Sequence, residues 1–470
     1  MIILGTNSIK ETGYDVANSL RFNKGSSDYL NRTATSGNRQ VATFSGWVKK
    51  SSEGVDTNRV FLEYNSGTNY FEIRFREGSS RETIRIYEEL NGGTGFELIT
   101  NREFADLGAW YHIAVVIKTT EGTAANRIKL YINGVQETSF ATETYPAQNY
   151  NVQMNVANKA VQIGAYSFAG SNYFNGYMSE MVWLDGTAAA ITDLGEFDED
   201  SGIWKPIDVS GLTFGNNGFY LDFEDSSALG NDAAGSNNFT VNNLTAIDQS
   251  TDTCTNNFAT LNPLNSSSND SHTPPTYSEG NLQSASPSSG GGYVGSSTIG
   301  VTNGKWFWEF KKSGGSATNI YNGIGNEVGT AEIARQSAVG VYFGNQVFYR
   351  PDGTKQIITN GSNANSSYGA SWTTNDIIGI ALDLDSSTNT VTFYKNGASQ
   401  GAINLPVNTD TWFFIVACGT DTVDTWQLNF GSPPYAISSG NTDGNGYGNF
   451  EYAVPSGYYA LNTKNLAEYG

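Results

Sequence analysis

The sequence has little cysteine, histidine, proline or charge. Its 470 residues include 2 Cys and 11 Pro, and only 15% of the residues are charged. Two cysteines, Cys254 and Cys418, are too few for a disulfide-rich scaffold or a four-cysteine zinc site, so we expect two free thiols. With only two histidines, His112 and His272, a histidine-rich metal site is also excluded.

Long apolar runs are missing as well, and basic residues are fewer than acidic ones. No apolar run approaches the ~20 residues of a membrane-spanning helix. Residues 1–5 (MIILG) lack the basic region and apolar core of a signal peptide, so we expect release by lysis rather than export. With 46 acidic and 26 basic residues the net charge is −20. An acidic chain repels phosphates, so we expect no nucleic-acid binding and no membrane insertion.

The sequence is rich in glycine and aromatic residues, with 53 Gly, 26 Tyr, 25 Phe and 9 Trp. Short aromatic strands joined by Gly, Asn and Ser turns fit this composition. Residues 127–135 (RIKLYINGV) and 390–398 (TVTFYKNGA) each read as a strand that ends in Asn-Gly, the typical signal of a type I′ hairpin. The repetition predicts two β-sandwiches in an all-β chain.

The distribution of strand patterns predicts the domain boundaries. Apolar and polar residues alternate in many segments between residues 19 and 223 and again between 304 and 431. In 70–76 and 83–87 the charges alternate with Ile, Phe and Tyr, which predicts one dry and one wet face. The predicted organisation is an arm (1–16), a first sandwich (17–224), a Ser/Asn/Gly-rich connector (225–292), a second sandwich (293–435) and a tail that packs on a sandwich or a neighbour (436–470). We expect proteases to cut first inside 262–292.

Catalytic chemistry is not indicated. The acids of residues 196–200 approach a glycosidase motif but lack its last carboxylate, so a solvated loop is favoured. His112 shares a strand face with apolar residues, and His272 lies among Ser, Asn and Pro. We expect no enzyme and no cofactor except, as an open alternative, calcium. Asp383, Asp385 and Asn389 could ligate calcium, although a turn with side-chain caps is favoured.

Two families are suggested by short motifs in order. The first run resembles a laminin G-like domain, through FSGWV (44–48), WYHIAV (110–115), LYING (130–134), IG (163–164) and FNGYM (174–178). The second resembles a SPRY domain, through KWFWE (305–309), GIG (323–325), GIALD (379–383), VTFYKNG (391–397) and LNFG (428–431). The resemblance implies two concanavalin-type jelly-roll sandwiches.

A third resemblance concerns the joining segments. Residues 195–206 (GEFDEDSGIWKP) and 238–244 (NFTVNNL) are similar to connectors in structural proteins of tailed marine bacteriophages. This implies a virion protein, such as a tail fibre, head fibre or adhesin, that contacts other virion proteins and a host glycan or receptor. A homo-oligomer is expected, with a trimer favoured. A purely structural decoration protein and a polysaccharide depolymerase remain alternatives.

A sugar site needs an exposed aromatic ring beside amide or carboxylate groups. Two loops of the first sandwich, 145–151 and 167–173, have this chemistry. The predicted ligand-binding residues are Tyr150, Phe168, Tyr173, Asn149 and Asn172. Residues 349–353 and Trp372 are weaker candidates in the second sandwich. The alternative is that these rings only cap the sandwiches; if they bind, alanine at Tyr150 and Tyr173 should abolish binding with stability nearly unchanged.

Overall fold

The chain is built almost wholly from β-strands, as a computed structural model shows. The structure describes residues 13–53, 59–66, 68–77, 81–166, 172–266, 275–285, 293–315, 320–327, 344–418 and 424–470. Besides strands, these ranges contain the short helix α1 (Thr463–Tyr469), and they contain no helix long and apolar enough to cross a membrane. Two compact units are present, one ending at Asn256 and the other beginning at Asn257. The predicted all-β fold is confirmed.

The first unit consists of short strands joined by turns. Its strands are β1 (Ser19–Phe22), β2 (Tyr29–Thr33), β3 (Val41–Lys50), β4 (Arg59–Ser66), β5 (Asn69–Glu77), β6 (Glu82–Leu90), β7 (Gly93–Glu103), β8 (Trp110–Lys118), β9 (Ile128–Ile132), β10 (Val135–Gln136), β11 (Phe140–Thr144), β12 (Ala160–Ile163), β13 (Gly176–Asp185), β14 (Glu196–Phe197), β15 (Trp204–Lys205), β16 (Phe219–Leu221), β17 (Thr240–Asn242) and β18 (Gln249–Ser250).

These strands form a sandwich of two antiparallel sheets. Sheet 1 has the order β10-β9-β8-β3-β13-β1-β18, with β16 beside β13. Sheet 2 has the order β11-β7-β6-β5-β4-β12-β2-β17. Side chains between the sheets form one core, in which the ring of Phe61 stacks on Trp183 at 4.8 Å and lies 5.6 Å from Phe44. Strands β14 and β15 form a separate hairpin.

Strand β3 shows how the alternating pattern produces two buried faces. Ala42, Phe44 and Val48 point into the core between the sheets. Trp47, on the opposite face, joins Trp110 in a second apolar cluster outside sheet 1. Successive strand residues face opposite sides, so an apolar residue on the outer face must be covered by other parts of the chain. Hence sheet 1 is buried on both sides at β3.

The cover comes partly from the segment predicted as a connector. Asp252 accepts a hydrogen bond from Trp110 Nε1 at 3.0 Å, and its carboxylate lies 2.6 Å from Lys49 Nζ, with both charged side chains 1% exposed. Cys254 joins the same cluster as a buried free thiol, and burial raises its pKa well above the usual value. Strands β17 and β18 extend the two sheets. Residues 225–256 therefore belong to the first sandwich, whose edge was predicted at residue 224.

The second unit is also a sandwich. Its strands are β19 (Leu261–Ser266), β20 (Thr276–Ser278), β21 (Gln283–Ala285), β22 (Tyr293–Ser297), β23 (Lys305–Gly314), β24 (Ile320–Asn326), β25 (Gln346–Tyr349), β26 (Thr354–Thr359), β27 (Ser362–Ser367), β28 (Ile377–Asp383), β29 (Thr390–Lys395), β30 (Ala398–Asn404), β31 (Trp412–Cys418), β32 (Thr425–Asn429) and β33 (Tyr459–Ala460).

Two sheets enclose an aromatic core in this unit. Sheet 3 has the order β19-β22-β31-β24-β25-β26-β27, and sheet 4 has the order β20-β21-β32-β23-β28-β29-β30. Strand β33 pairs with β23 in parallel. Trp308, Phe310 and Phe414 fill the space between the sheets. Trp372 lies there too, 2% exposed, so this candidate binding residue is part of the core because its ring packs on Phe310 and Trp426.

The second sandwich begins before, and its packing continues after, the predicted limits of 293 and 435. Phe258, Leu261 and Leu282 are buried in it, and β19 to β21 extend both of its sheets. At the other end, Phe450 packs on Phe307 of β23 with ring centroids 5.3 Å apart. Glu309 of β23 accepts hydrogen bonds from two backbone N–H groups, at 3.1 Å and 2.9 Å, of the following tail. The segments before residue 293 and after residue 435 are polar in composition, so the sequence did not predict that they form part of the second sandwich.

Four of the tight turns are Asn-Gly pairs with positive φ at both residues. The two predicted turns join β9 to β10 and β29 to β30. Two more join β6 to β7 and β26 to β27. The pairs are Asn133-Gly134, Asn396-Gly397, Asn91-Gly92 and Asn360-Gly361, with Asn φ between 46° and 53° and Gly φ between 78° and 84°. This geometry is that of the type I′ turn, which matches the twist of the strands.

The first prediction concerns the boundary between the units. A fragment of residues 257–470 should be more stable than one of residues 293–470, because the shorter fragment lacks Phe258, Leu261 and Leu282. Removing one large buried side chain typically costs about 2–5 kcal/mol. Urea unfolding of the two fragments measures the difference. Equal midpoints would show that residues 257–292 do not contribute to the second sandwich.

A second prediction concerns a buried acid in β13. Glu180 lies at a bulge with φ of 52° and is 5% exposed. Its carboxylate accepts hydrogen bonds from Tyr220 Oη at 2.8 Å and Tyr14 Oη at 3.2 Å. Burial raises its pKa from 4.5 to about 7. Between these two values the folded state binds more protons than the unfolded state, so stability falls as the pH rises.

The Glu180→Gln variant should flatten this dependence. Glutamine keeps an acceptor for both tyrosines but does not titrate. Burial also raises the pKa of Glu88 and of Glu309 to about 7, so the substitution should remove about a third of the decline in unfolding free energy between pH 4.5 and pH 7. Urea unfolding across this range is the measurement. An unchanged slope would show that Glu180 is not responsible.

Candidate binding surface

A short hairpin stands on the outer face of sheet 2. Its arms leave the end of β12 and return to the start of β13. Ala165 and Tyr173 form an antiparallel bridge, and the N–H of Tyr166 donates to the carbonyl of Asn172 at 3.1 Å. Gly164 begins the turn with φ of 82°, and a Cβ there would lie 2.9 Å from the Phe22 ring. Residues 167–171, which include the predicted Phe168, lie outside the described residues.

One side of this hairpin carries aromatic and amide groups that remain half-exposed. The ring of Tyr173 lies 6.1 Å from that of Tyr29 on β2. Beside Tyr29, Asn242 Nδ2 donates to Asn31 Oδ1 at 2.7 Å. The register of β17 on β2 sets Asn242 opposite Tyr29. These four side chains, Tyr29, Asn31, Tyr173 and Asn242, form the surface that we call the Tyr29 surface.

The other side of the hairpin is packed more tightly. The ring of Tyr166 meets Tyr70 of β5 edge-on at 5.5 Å, and Tyr70 lies 5.8 Å from Tyr87 of β6. Tyr70 and Tyr87 are only 8% and 6% exposed. The guanidinium of Arg85 lies 3.6 Å from the centre of the Tyr87 ring, within the range of a cation–π contact. This side offers little free aromatic surface.

Ion pairs hold the charged residues beneath these rings. Glu72 Oε1 lies 2.9 Å from Arg74 Nε and 3.3 Å from Arg85 Nη1. Arg85 Nη2 in turn lies 2.6 Å from Glu97 Oε1. Glu72 is fully buried, because the arginine and tyrosine side chains cover it. The prediction that the charged residues of β5 and β6 face solvent is therefore wrong at Glu72. This network positions the tyrosine rings, and Glu72 forms ion pairs with both arginines.

The predicted pair Asn149 and Tyr150 lies at the opposite end of the sandwich from Asn172 and Tyr173. The N–H of Asn149 donates to Thr119 at the end of β8, and Asn149 itself is exposed with φ of 61°. Residues 172–173 precede β13 at the end where β3 finishes. The two pairs therefore do not form a single site.

Tyr150 has a clear structural role. Its hydroxyl donates to Glu88, a β6 carboxylate that also accepts the N–H of Gln153 at 2.5 Å. Glu88 points into the sandwich and is fully buried, and burial raises its pKa to about 7. The ring of Tyr150 packs against the core. Tyr150 thus attaches its loop to sheet 2 from the inside.

The only serine–histidine contact among the described residues has the wrong polarity for catalysis. Trp204 Nε1 donates to His112 Nδ1 at 3.1 Å. The proton of the neutral ring is then on Nε2, which donates to Ser45 Oγ at 2.8 Å. Burial lowers the pKa of His112 to about 3, which keeps the ring neutral. A general base must accept the proton of the serine, so this contact is structural.

Acidic positions considered in the sequence form turns. Asp198 Oδ1 accepts the N–H of Ser201 at 2.9 Å, and Lys205 Nζ lies 3.6 Å from the other oxygen. Asp383 Oδ1 accepts two backbone N–H groups, and its other oxygen lies 2.8 Å from Lys305 Nζ. No group of three or more metal-ligating side chains occurs within the described ranges. The calcium alternative stays a prediction.

Family models match both sandwiches. Residues 24–190 match the laminin G model of the concanavalin A-like lectin/glucanases superfamily, and residues 305–433 match the SPRY domain. The chain contains a laminin G-like domain and a SPRY domain. The corresponding two resemblances in the sequence are therefore confirmed, and the comparisons contain nothing that bears on a bacteriophage origin. Among curated proteins no match is found.

Several solved structures are similar to parts of this chain at low identity. The SPRY domain of human HERC1 is 18% identical, with 36% of this chain and 96% of that chain covered and a TM-score of 0.29. The native heptameric SAP-like pentraxin of Limulus polyphemus is 16% identical, covering 38% and 81%, also at 0.29. Domains LG4-5 of mouse laminin alpha1 are 9% identical, covering 88% and 83%, at 0.29. At TM-scores below 0.5 these likenesses carry no argument about function.

Sequence reasoning missed Tyr29 and Tyr166. Both lie next to Tyr173, Tyr29 on β2 between β12 and β17 and Tyr166 on the hairpin itself. The usable signal was the alternation of Tyr29 and Asn31, which places an aromatic ring and an amide on the same face of β2.

The third prediction distinguishes the structural role of Tyr150 from the exposed position of Tyr173. Tyr150→Phe should lower the unfolding free energy by about 1–3 kcal/mol, because buried Glu88 loses a donor. The loss of unfolding free energy should be larger at pH 8 than at pH 6. At pH 8 more of Glu88 is ionised, and a buried charged carboxylate is destabilised more by the loss of a hydrogen-bond donor than a neutral carboxyl group is. Tyr173→Phe is the matched control, because the Tyr173 hydroxyl has no hydrogen-bond partner in the part of the chain described. Equal effects in urea unfolding would contradict the assignment.

Proposed function

We propose that the chain is a non-enzymatic glycan-binding protein whose laminin G-like domain holds sugar on the Tyr29 surface. The observation that carries this proposal is the pair of half-exposed rings, Tyr29 and Tyr173, beside the side-chain amides of Asn31 and Asn242. A sugar ring has an apolar face that packs on an aromatic side chain and hydroxyls that pair with amides. The lectin-type fold supports this use of the surface.

The charge of the chain favours a particular class of glycan. At −20 the protein repels polyanions, so neutral sugars are the better ligands. The reversed polarity of the Ser45–His112 contact and the occupied carboxylate of Glu72 support binding without bond cleavage. Within this proposal the chain is a virion appendage protein that contacts other virion proteins and a host-surface glycan. That finer assignment is supported by the similarity of residues 195–206 and 238–244 to phage connectors.

A fourth prediction tests the surface. The full chain is screened on a glycan array, and the best neutral oligosaccharide is then titrated by calorimetry. Tyr29→Ala and Tyr173→Ala should each weaken binding by about tenfold or more, since each removes a stacking ring. Tyr131→Ala is the matched control: Tyr131 is another half-exposed tyrosine, on the outer face of sheet 1.

The outcomes separate the three functions. Weaker binding by both variants, with unchanged affinity in the control and no release of reducing ends, supports the proposal. Unchanged affinity in Tyr29→Ala and Tyr173→Ala would exclude this surface. Absence of any glycan ligand would favour a structural decoration protein, and release of reducing ends would favour a depolymerase.

A further inference from the structure

Strand β27 is the last strand of sheet 3 in the part of the chain that the structure describes. It lies beside β26 at the end of the strand order. All six of its side chains are exposed, and its register with β26 runs without a break from Thr354↔Ser367 to Thr359↔Ser362. The pairing of β27 with β26 is therefore continuous over the whole length of β27.

Half of the backbone groups of β27 point away from β26. Thr359 and Ser362 close the two-residue Asn-Gly turn, and the pair that closes such a turn is hydrogen bonded. Hydrogen-bonded and non-hydrogen-bonded pairs then alternate along the hairpin. The N–H and C=O groups of Asn363, Asn365 and Ser367 consequently face outward. No hydrogen-bond partner for these groups is present among the described residues.

The other edge strands in the described ranges are protected. Strands β10, β18, β17 and β20 have only two or three residues each. Strand β19 contains Pro263 and an irregular register, β11 has a bulge and a charged Glu143, and β30 has an irregular register and Gly401 at φ of 100°. Short length, proline, charge and bulges are the usual means of preventing edge pairing. Strand β27 (SNANSS) has none of them.

We propose that β27 pairs with β27 of a second copy of this chain, antiparallel about a two-fold axis. In that register Asn365 faces Asn365 of the partner copy, and Asn363 faces Ser367 of the partner copy. Each such pair exchanges two backbone hydrogen bonds, so about six form in all. Although the chain carries a charge of −20, no charged side chains of the two strands face each other.

A side chain next to the edge supports this register. Gln356 of β26 lies opposite Asn365, and its fully buried amide has no hydrogen-bond partner among the described residues. Joining two β27 strands would create one row of amides, from Gln356 through both copies of Asn365 to the second Gln356. Side-chain amides in such a row can donate and accept in turn. A partner with an unrelated sequence would not repeat this row.

The contact is small, so association should depend on concentration. A six-residue strand pair buries less than a standard interface. A two-fold contact also produces dimers, whereas the trimer expected from the sequence would need a different interface. The proposal is independent of sugar binding, because β27 belongs to the SPRY-containing unit and the Tyr29 surface to the other.

The test is analytical ultracentrifugation of the full chain over a range of micromolar concentrations. Asn365→Lys places like charges opposite each other across the two-fold axis and should weaken self-association by about tenfold or more. Asn365→Asp should do the same. A mixture of the two variants should associate again, because Lys then faces Asp. Ser399→Lys, on the exposed edge strand β30, is the control that adds the same charge elsewhere.

The mixing experiment gives the proposal its sharpest outcome. Association of wild type and Ser399→Lys, loss in each single Asn365 variant, and recovery in the mixture support the two-fold β27 contact. A wild type that remains monomeric, a variant that associates as well as wild type, or a mixture that stays monomeric would overturn it. Because Asn365 is exposed, urea unfolding of each variant should match that of wild type. A variant with lower stability is replaced by the double variants Asn363→Lys/Ser367→Lys and Asn363→Asp/Ser367→Asp, which place like charges opposite each other when alone and opposite charges opposite each other when mixed.

Discussion

Each sandwich has one sheet with apolar residues on both faces, and this constraint determines how the rest of the chain is used. In sheet 1, Trp47 and Trp110 project away from the main core; in sheet 4, Phe307 does so. An aromatic side chain buries about 150–250 Å², at roughly 25 cal/mol per Å². Leaving such faces in water would forgo several kcal/mol per ring. Segments with few strands of their own are therefore drawn onto these faces.

This constraint explains why the strands were predictable and the domain limits were not. Strands β3, β8, β23 and β28 are visible in the sequence because they are rich in apolar, aromatic and β-branched residues. The covering segments are rich in Asn, Ser and Asp, and they are attached by particular contacts such as Asp252 with Trp110 and Lys49. Composition cannot reveal a contact between residues more than a hundred positions apart. The connector therefore looked like a linker.

The candidate site was predictable to a similar degree. The sequence predicted aromatic rings beside amides and included Tyr173 among them. It could not separate Tyr173 from Tyr150, because both follow polar loop residues. The distinction depends on what lies beneath each ring: Glu88 is buried under Tyr150, whereas Tyr29 lies beside Tyr173 on an outer face. Tertiary position, and not local sequence, decides which ring can meet a ligand.

Buried acids in this chain serve as attachment points for backbone and hydroxyl donors. Glu88, Glu180 and Glu309 have pKa values raised to about 7 by burial, a property that often marks catalytic sites. Here each carboxylate instead accepts hydrogen bonds from a loop, an N-terminal tyrosine or the C-terminal tail. The pKa values of these three glutamates are raised because the carboxylates are buried where polar segments pack on apolar sheets.

The proposed sugar site and the proposed self-contact would reinforce each other. Single aromatic stacks on sugar yield modest affinity, and a strand pair of six residues yields a modest dimer. Linking two sites raises the apparent affinity without a new contact, provided that both sites can reach the same surface. A two-fold pair of copies, each with its own Tyr29 surface, would link two such sites. Reversible binding at each site would then coexist with firm attachment of the assembly to a surface that displays many copies of the glycan.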